Sequence, residues 1–318
     1  MSQPLTIVMY HFVRDLPRTR YPAIKGLLTA KFIGQLTWLQ SRYRIVTMEQ
    51  CVEALGGGQP LPEHAALLTF DDGYLDHYTT VFPLLEERGW QGSFFPPARA
   101  ITEGRVLDVN KIHFILAAAE PRAVMASLLA AVDEQRSAYG LRPTADYLAE
   151  LHHPSRFDSA EVIFIKRMLQ RELPEVLRAE IADGLFQQYV STNEQAFARE
   201  LYVDVPQLRT MVRKGMYVGS HGHGHFWMNT LSPAEQAREV DLSLDFLAAV
   251  GAPTQRWAMC YPYGAHNPSL VEIVRGKGAA LGLTTEVAVA DLSTHSAWTL
   301  PRLDTNDLPQ PMPDEPTP

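Results

Sequence analysis

Cysteine is scarce in this chain: 318 residues hold only two, Cys51 and Cys260. Two thiols cannot build a disulfide framework, and a reduced, cytosolic state is the simpler expectation. Positive charge is also in short supply. Lys and Arg number 28 against 36 Asp and Glu, a formal net charge of −8, which argues against non-specific nucleic-acid binding through phosphate neutralisation. No window reaches the roughly 18 uncharged apolar residues of a membrane helix. The N-terminal segment has neither the basic region nor the apolar run of a secretion signal, so a cytoplasmic location is expected. Low complexity is confined to Pro309–Pro318, with five prolines in ten residues, expected to be a loose tail. What the chain does have is a globular composition, 46% hydrophobic and 20% charged. That suffices for one large domain or two ordinary ones.

Short apolar runs alternate with amphipathic helical patterns over most of the sequence. Leu5–Met9 and Ala65–Phe70 read as buried strands, and Phe32, Leu36 and Leu39 predict a helix over Ala30–Ser41. Thr47 through Gln50 has the pattern of a capping box, opening a helix that ends at Gly56. Leu75–Arg88 reads as a helix stopped by Gly89, and Ser93–Phe95 begins the next strand. This rhythm implies a parallel sheet covered by helices. It breaks between residues 105 and 200, where Val162, Ile165, Leu169 and Leu173, then Leu177, Ile181 and Leu185, recur at helical spacing. Pro174 fits a helix's first turn. Past this stretch the alternation resumes. Asp204–Pro206 opens a helix, Met216–Gly219 is a short strand, and Ser232–Glu235 is a second capping box. Trp257–Cys260 is a strand, Asn267–Pro268 caps a helix, and Ala280–Thr284 is another strand.

Three clusters stand just past predicted strands, where the active sites of parallel α/β folds gather. The first is Thr69-Phe70-Asp71-Asp72-Gly73. Two adjacent carboxylates leaving a buried strand need a cation or several hydrogen-bond donors; a solvated Asp-Asp-Gly turn is the plainer alternative. The second is Ser220-His221-Gly222-His223-Gly224-His225. The spacing of His221 and His225 lets both rings face one metal. His223 could be a third ligand, a supporting group or a ring turned away, and the non-ligand role is expected. The third is Cys260-Tyr261-Pro262-Tyr263-Gly264, where the Tyr263 N–H could serve an oxyanion or the residues could form an ordinary aromatic turn. Asp plus two His with an open position suits catalytic zinc, and also non-haem Fe(II). The second carboxylate favours hydrolysis, because a metal-bound water needs a base.

Taken in order, TFDDG, SHGHGH and YPYG resemble the polysaccharide deacetylase family, carbohydrate esterase family 4. The resemblance covers residues 1–100 and 202–305 and implies an α/β fold, a distorted (β/α) barrel. Residues 1–104 and 201–305 would form the barrel, 105–200 a helical insertion serving as lid or substrate platform, and 306–318 a disordered tail. It further implies a hydrolase that removes an N-acetyl group from an amino sugar or glycan precursor. Asp71 would be the catalytic base and Asp72, His221 and His225 the ligands of a divalent metal, zinc first, with Co2+, Ni2+ or Fe2+ as substitutes. Tyr263 would hold the oxyanion through its backbone N–H. Tyr10-His11 resembles the strand-end Tyr-His of one branch of the family.

The sequence departs from the family pattern at three places. Gly222 stands where Ser or Thr is usual. Cys260 stands where an Arg usually orients the base, so the partner of Asp71 is missing or comes from elsewhere; Leu300–Asp304 could supply an Arg, Arg302, and an Asp near the site. The late motif with the general-acid His is matched loosely by Leu292–His295, after a strand expected over Glu286–Leu292. His295 is therefore the expected acid, with His113 of the insertion as rival. The other readings are a deformylase, a non-catalytic metal- or sugar-binding relative, and an Fe(II) oxygenase, for which no co-substrate site is visible. Absence of a secretion signal favours a nucleotide- or lipid-linked precursor over a finished polymer.

Overall fold

The computed structural model describes residues 3–155 and 158–312. The chain separates into two compact units. One comprises Met1–Asp15, Gly26–Arg105 and Ala198–Pro318; the other comprises Leu16–Lys25 and Val106–Phe197.

The first unit is built on a curved parallel sheet. Its strands are β1 (Pro4–Tyr10), β2 (Ala65–Asp71), β3 (Ser93–Phe95), β4 (Tyr217–Val218), β5 (Trp257–Cys260), β6 (Ala279–Val287) and β7 (Leu300–Asp304). They lie in the order β4-β3-β2-β1-β7-β6-β5, every neighbouring pair parallel. The two outer strands meet through a bridge between Ser220 and Met259. Ser220 N–H donates to the Ala258 carbonyl at 3.0 Å, and Cys260 N–H donates to the Ser220 carbonyl at 2.8 Å. The sheet thus curls into a distorted barrel.

Period-two alternation sorts side chains to the two faces of the sheet. Leu5 and Ile7 pair in register with Ala65 and Leu67. All four join Phe95, Ala258, Leu281 and Leu300 in one buried cluster. Residues from around the whole sheet meet there, so this is the barrel interior. Val8, Tyr10, Leu68 and Phe70 face the other way. They pack with Phe32, Leu36 and Leu39 of helix α1 (Thr29–Arg42). Each such large apolar side chain, fully buried, stabilises the fold by about 1.5–3 kcal/mol. By the same alternation Thr69 and Asp71 continue the inward face of β2. The last inward position of that strand is therefore a carboxylate at the barrel mouth, and Asp71 is buried.

Local signals specify the helix ends. Thr47 and Gln50 form a reciprocal capping box at helix α2 (Met48–Leu55), whose Met48, Cys51 and Val52 enter the interior cluster. The second unit is helical where described. Its α3 (Asp108–Ala118), α4 (Pro121–Tyr139) and α5 (Glu175–Tyr189) bury Ile112, Val124, Leu128, Leu177, Ile181 and Leu185. Pro174 lies at the N-cap of α5, one place earlier than its predicted first turn. Lys111 is buried on α3 and bonds Asp183 and, at 3.0 Å, Glu194. Tyr21 packs on Phe114 and Phe197, which explains why ten residues from near the N-terminus join this unit. The first unit resumes with helices α6 (Val205–Arg213), α7 (Pro233–Val250) and α8 (Pro268–Gly276). Asp204 and Ser232 cap α6 and α7 with complete boxes.

Two expectations need correcting. The region Leu75–Arg88 is not one regular helix; its turn His77–Val81 is wide, with α-helical geometry over Phe82–Glu86. The described part of the tail is docked rather than loose. Leu308 enters the core, and Gln35 of α1 donates to the carbonyls of Thr305 and Pro309, each at 3.1 Å. Gly34 permits this approach, because a Cβ there would lie 1.8 Å from the Pro311 carbonyl oxygen. Residues 313–318 lie outside the described residues. Among the described residues no helix is long and apolar enough to cross a membrane.

Candidate active site

The C-terminal ends of β1, β2, β5 and β7, with the loop after β4, bring the predicted chemistry together. Asp71 closes β2 and Asp72 follows it at φ 71°. A positive φ is strained for a non-glycine residue and persists only where its surroundings enforce it. Here the Asp72 N–H donates to the Phe95 carbonyl at 3.1 Å, and Tyr74 Oη donates to Asp72 Oδ2 at 2.6 Å. Gly73, at φ 66°, completes the turn; a Cβ on it would meet Pro96 Cβ at 2.6 Å.

The turn points Asp72 Oδ1 at two imidazoles. His221 Nε2 lies 3.5 Å from that oxygen and His225 Nε2 lies 3.2 Å from it. All three residues are buried, and one donor atom from each lies within 4.8 Å of the others. Asp72 Oδ1 itself is buried with no hydrogen-bond partner. A carboxylate oxygen left so is costly, and three convergent donors of this chemistry fit a divalent cation. The His221 Nδ1–H donates to the Cys260 carbonyl at 2.7 Å, which fixes the tautomer and leaves the Nε2 lone pair available to a cation. Burial alone would raise the Asp72 pKa, yet the His221 and His225 rings hold it well below the ordinary range. Burial opposes charge on both imidazoles. It wins at His225, whose pKa is lowered, and loses at His221, where Cys260 and the two Asp residues raise it. The His223 ring is turned toward Glu103, with Nε2 3.5 Å from Oε1.

Asp71 has its own partner. Arg302, on β7, is fully buried and donates Nη1 to Oδ1 at 2.9 Å and Nη2 to Oδ2 at 2.7 Å. Its Nε donates to the Thr284 carbonyl and Nη1 also to Thr69 Oγ1. Burial would raise the Asp71 pKa, but the Arg302 guanidinium outweighs it and holds the carboxyl at about 2. Arg302 thus fills the place that Cys260 leaves vacant in the third motif.

Tyr263 stands at φ 58°. Its ring contacts His225 edge-on at 4.7 Å between centroids and stacks on Trp227 at 4.3 Å. Thr285 Oγ1 donates to its carbonyl at 3.3 Å. The geometry keeps the Tyr263 backbone beside the His221–His225 loop.

His295 does not reach this mouth. The strand expected over Glu286–Leu292 is broken: β6 ends at Val287, and a two-residue strand, Ala290–Asp291, runs back antiparallel to the start of β1. Pro4 pairs with Asp291, so His295 stands near the opposite end of β1. Its Nδ1 accepts the Asp291 N–H at 2.9 Å. His113, the rival acid, is on α3 in the second unit. The histidine at the mouth is His11. Tyr10 pairs in register with Phe70, so His11 follows β1 where Asp71 ends β2. It bears electrostatically on both Asp71 and Asp72, and its carbonyl accepts the His77 Nε2–H at 2.9 Å. Tyr74 was the missed partner, and its sequence signal was adjacency alone, directly after TFDDG; His11 was legible as part of the strand-end Tyr10-His11 pair, though not as the acid.

The sequence profile of the polysaccharide deacetylase family matches residues 58–121 and 185–282, just over half of the chain. The chain belongs to the polysaccharide deacetylase family. Over 91 residues it is 48% identical to the poly-beta-1,6-N-acetyl-D-glucosamine N-deacetylase of Escherichia coli K12. That match covers 28% of this chain and only 13% of the E. coli protein. The fold is shared with the deacetylase PplD of Streptococcus pyogenes, at a TM-score of 0.57 and 16% identity, covering 96% of this chain and 93% of that one. It is shared too with IcaB from Ammonifex degensii, at 0.56 and 20%, covering 95% and 92%.

Proposed function

We propose that this deacetylase-family protein hydrolyses the N-acetyl group of amino-sugar residues in a glycan. The observation that carries the reading is the buried set Asp72, His221 and His225 beside an Asp71 held by Arg302. Its support for the acyl group and sugar is the 48% identity to the E. coli poly-N-acetylglucosamine deacetylase in the matched stretch. That relative favours a polymeric substrate over a nucleotide- or lipid-linked precursor.

Asp72, His221 and His225 would hold the metal, zinc first, with Co2+, Ni2+ or Fe2+ able to replace it. When bound, such an ion polarises the acyl oxygen and acidifies the attacking water. Asp71, ionised at every working pH, accepts the water's proton; Arg302 fixes its orientation and keeps it charged. The Tyr263 N–H donates to the oxygen that gains negative charge as the carbonyl carbon becomes tetrahedral, a contribution of about 3–4 kcal/mol. His11 delivers the proton that the leaving amine needs. A non-catalytic binding relative would have no use for a buried, ionised Asp71–Arg302 pair next to its ligands.

The test is metal-reconstituted protein on an N-acetylglucosamine oligomer, with released acetate and new amine measured together. A parallel N-formyl substrate separates a deacetylase from a deformylase. Equal turnover by wild type and Asp71→Asn would overturn the proposal.

A further inference from the structure

We infer that Glu239 of α7 is a positioning residue for the metal-ligand loop, holding it through its backbone amides. The inference rests on Asp72, His221 and His225 being the ligands.

The segment from His221 to His225 has no helix or strand of its own to satisfy its amides, and buried backbone donors need partners. Glu239 is only 7% exposed. Its Oε2 accepts the N–H of His223 at 3.1 Å and of Gly224 at 2.7 Å. These are two of the three residues between the ligands. The opposite edge of the loop is held as well: the Gly222 and His223 carbonyls accept from the N–H groups of Ala98 and Arg99, at 3.2 and 2.9 Å. One turn along the same face of α7, Ser243 takes the loop's first residue. The Gly222 N–H donates to Ser220 Oγ at 3.2 Å, Ser220 Oγ lies 2.8 Å from Ser243 Oγ, and Ser243 donates to the Val240 carbonyl. Residues four apart on a helix share a face, so Glu239 and Ser243 act as one template.

The conformation being held is a strained one. Gly222 has φ 70° and His225, a ligand, has φ 59°. A ligand at positive φ aims its ring only while the preceding backbone is fixed. A single side-chain oxygen that accepts from two consecutive N–H groups supplies that fixation. One acceptor oxygen at the right reach is what the geometry demands. Gln offers it; Ala does not, and Asp is a methylene short.

The experiment titrates metal-free wild type, Glu239→Ala, Glu239→Asp and Glu239→Gln with Co2+. Affinity is read by competition with a chromophoric chelator and ligand geometry by the visible absorption bands. Thermal unfolding of the metal-free proteins reports on folding. Glu239→Ala and Glu239→Asp should bind Co2+ about 10–100-fold more weakly, as expected when a supporting contact of a ligand is lost, with altered bands. Glu239→Gln should restore both affinity and bands. If Glu239→Ala does not fold, the contrast between Asp and Gln decides. Wild-type affinity and spectrum in Glu239→Ala, or in Glu239→Asp when Ala fails to fold, overturn the inference. Wild type that binds no Co2+ overturns the ligand assignment itself, which is a different result.

Discussion

Arg302 grips Asp71 with both terminal guanidinium nitrogens, from β7 across β1 to β2. Both side chains are buried, so neither charge is tolerable alone. Arg302→Met should therefore destabilise the protein by about 3–5 kcal/mol and lower kcat by about 10²–10⁴-fold, as loss of a general base does. Adding Asp71→Asn to Arg302→Met should recover part of the stability and cost no further activity, because the two residues act as a unit. Urea unfolding and steady-state kinetics on the four proteins check this. Additive losses in kcat would separate the two roles.

Metal content should follow the ligand set and not the base. Asp72→Ala, His221→Ala and His225→Ala should each lose the bound ion, while Asp71→Asn keeps it. Elemental analysis after dialysis against free metal reads the result, with about one ion per chain expected in wild type. Stoichiometric metal in His221→Ala would exclude that ring as a ligand.

His77 builds an acid sensitivity into the barrel wall. It is buried among Phe70, Tyr74 and Phe94, with Nε2–H on the His11 carbonyl and Nδ1 without a hydrogen-bond partner. Protonation would create a buried, unsatisfied N–H, and burial lowers its pKa to about 4. As pH falls below about 6.5 the unfolded chain takes up this proton first. Stability from a neutral His77 is thus full above that pH and lost as pH falls toward 4. The stability gap between wild type and His77→Gln should shrink by about 2 kcal/mol from pH 7.5 to pH 5. Denaturant unfolding at the two pH values measures it; a constant gap would mean that His77 titrates normally.

The legible parts of the fold were those set by local chemistry. The capping boxes at Thr47 and Ser232, the helix opened at Asp204 and the continuous apolar run of β2 depend on neighbours within a few residues. Asp71, Asp72, His221 and His225 were visible because each sits in a compact motif at a strand end. Arg302 needed more: its approach to Asp71 follows from β7 pairing beside β1, a contact 231 residues apart that no local pattern encodes. The tail misled because five prolines describe backbone stiffness, and nothing local announces that Gly34 leaves room for Pro311. His295 misled for a topological reason. The segment after β6 turns back antiparallel to β1, and a two-residue strand carries no periodicity from which its direction could be read.

That reversal makes the general acid a sharp test. A group that protonates the leaving amine matters most when the leaving group is poor. His11→Ala should slow hydrolysis of the N-acetyl amide by at least roughly 10²-fold and affect an activated aryl acetate much less, since its leaving group departs without protonation. His295→Ala should leave both rates close to wild type, because that ring stands near the start of β1 and accepts the Asp291 N–H. His113→Ala, in the helical unit, should behave like His295→Ala. All three variants are assayed on both substrates at equal metal loading, so that a change in metal affinity cannot pass for a change in chemistry. A leaving-group-dependent loss in His113→Ala with none in His11→Ala would move the acid to the helical unit. Equal losses on both substrates in His11→Ala would make His11 an electrostatic neighbour of Asp71 and Asp72, not a proton donor.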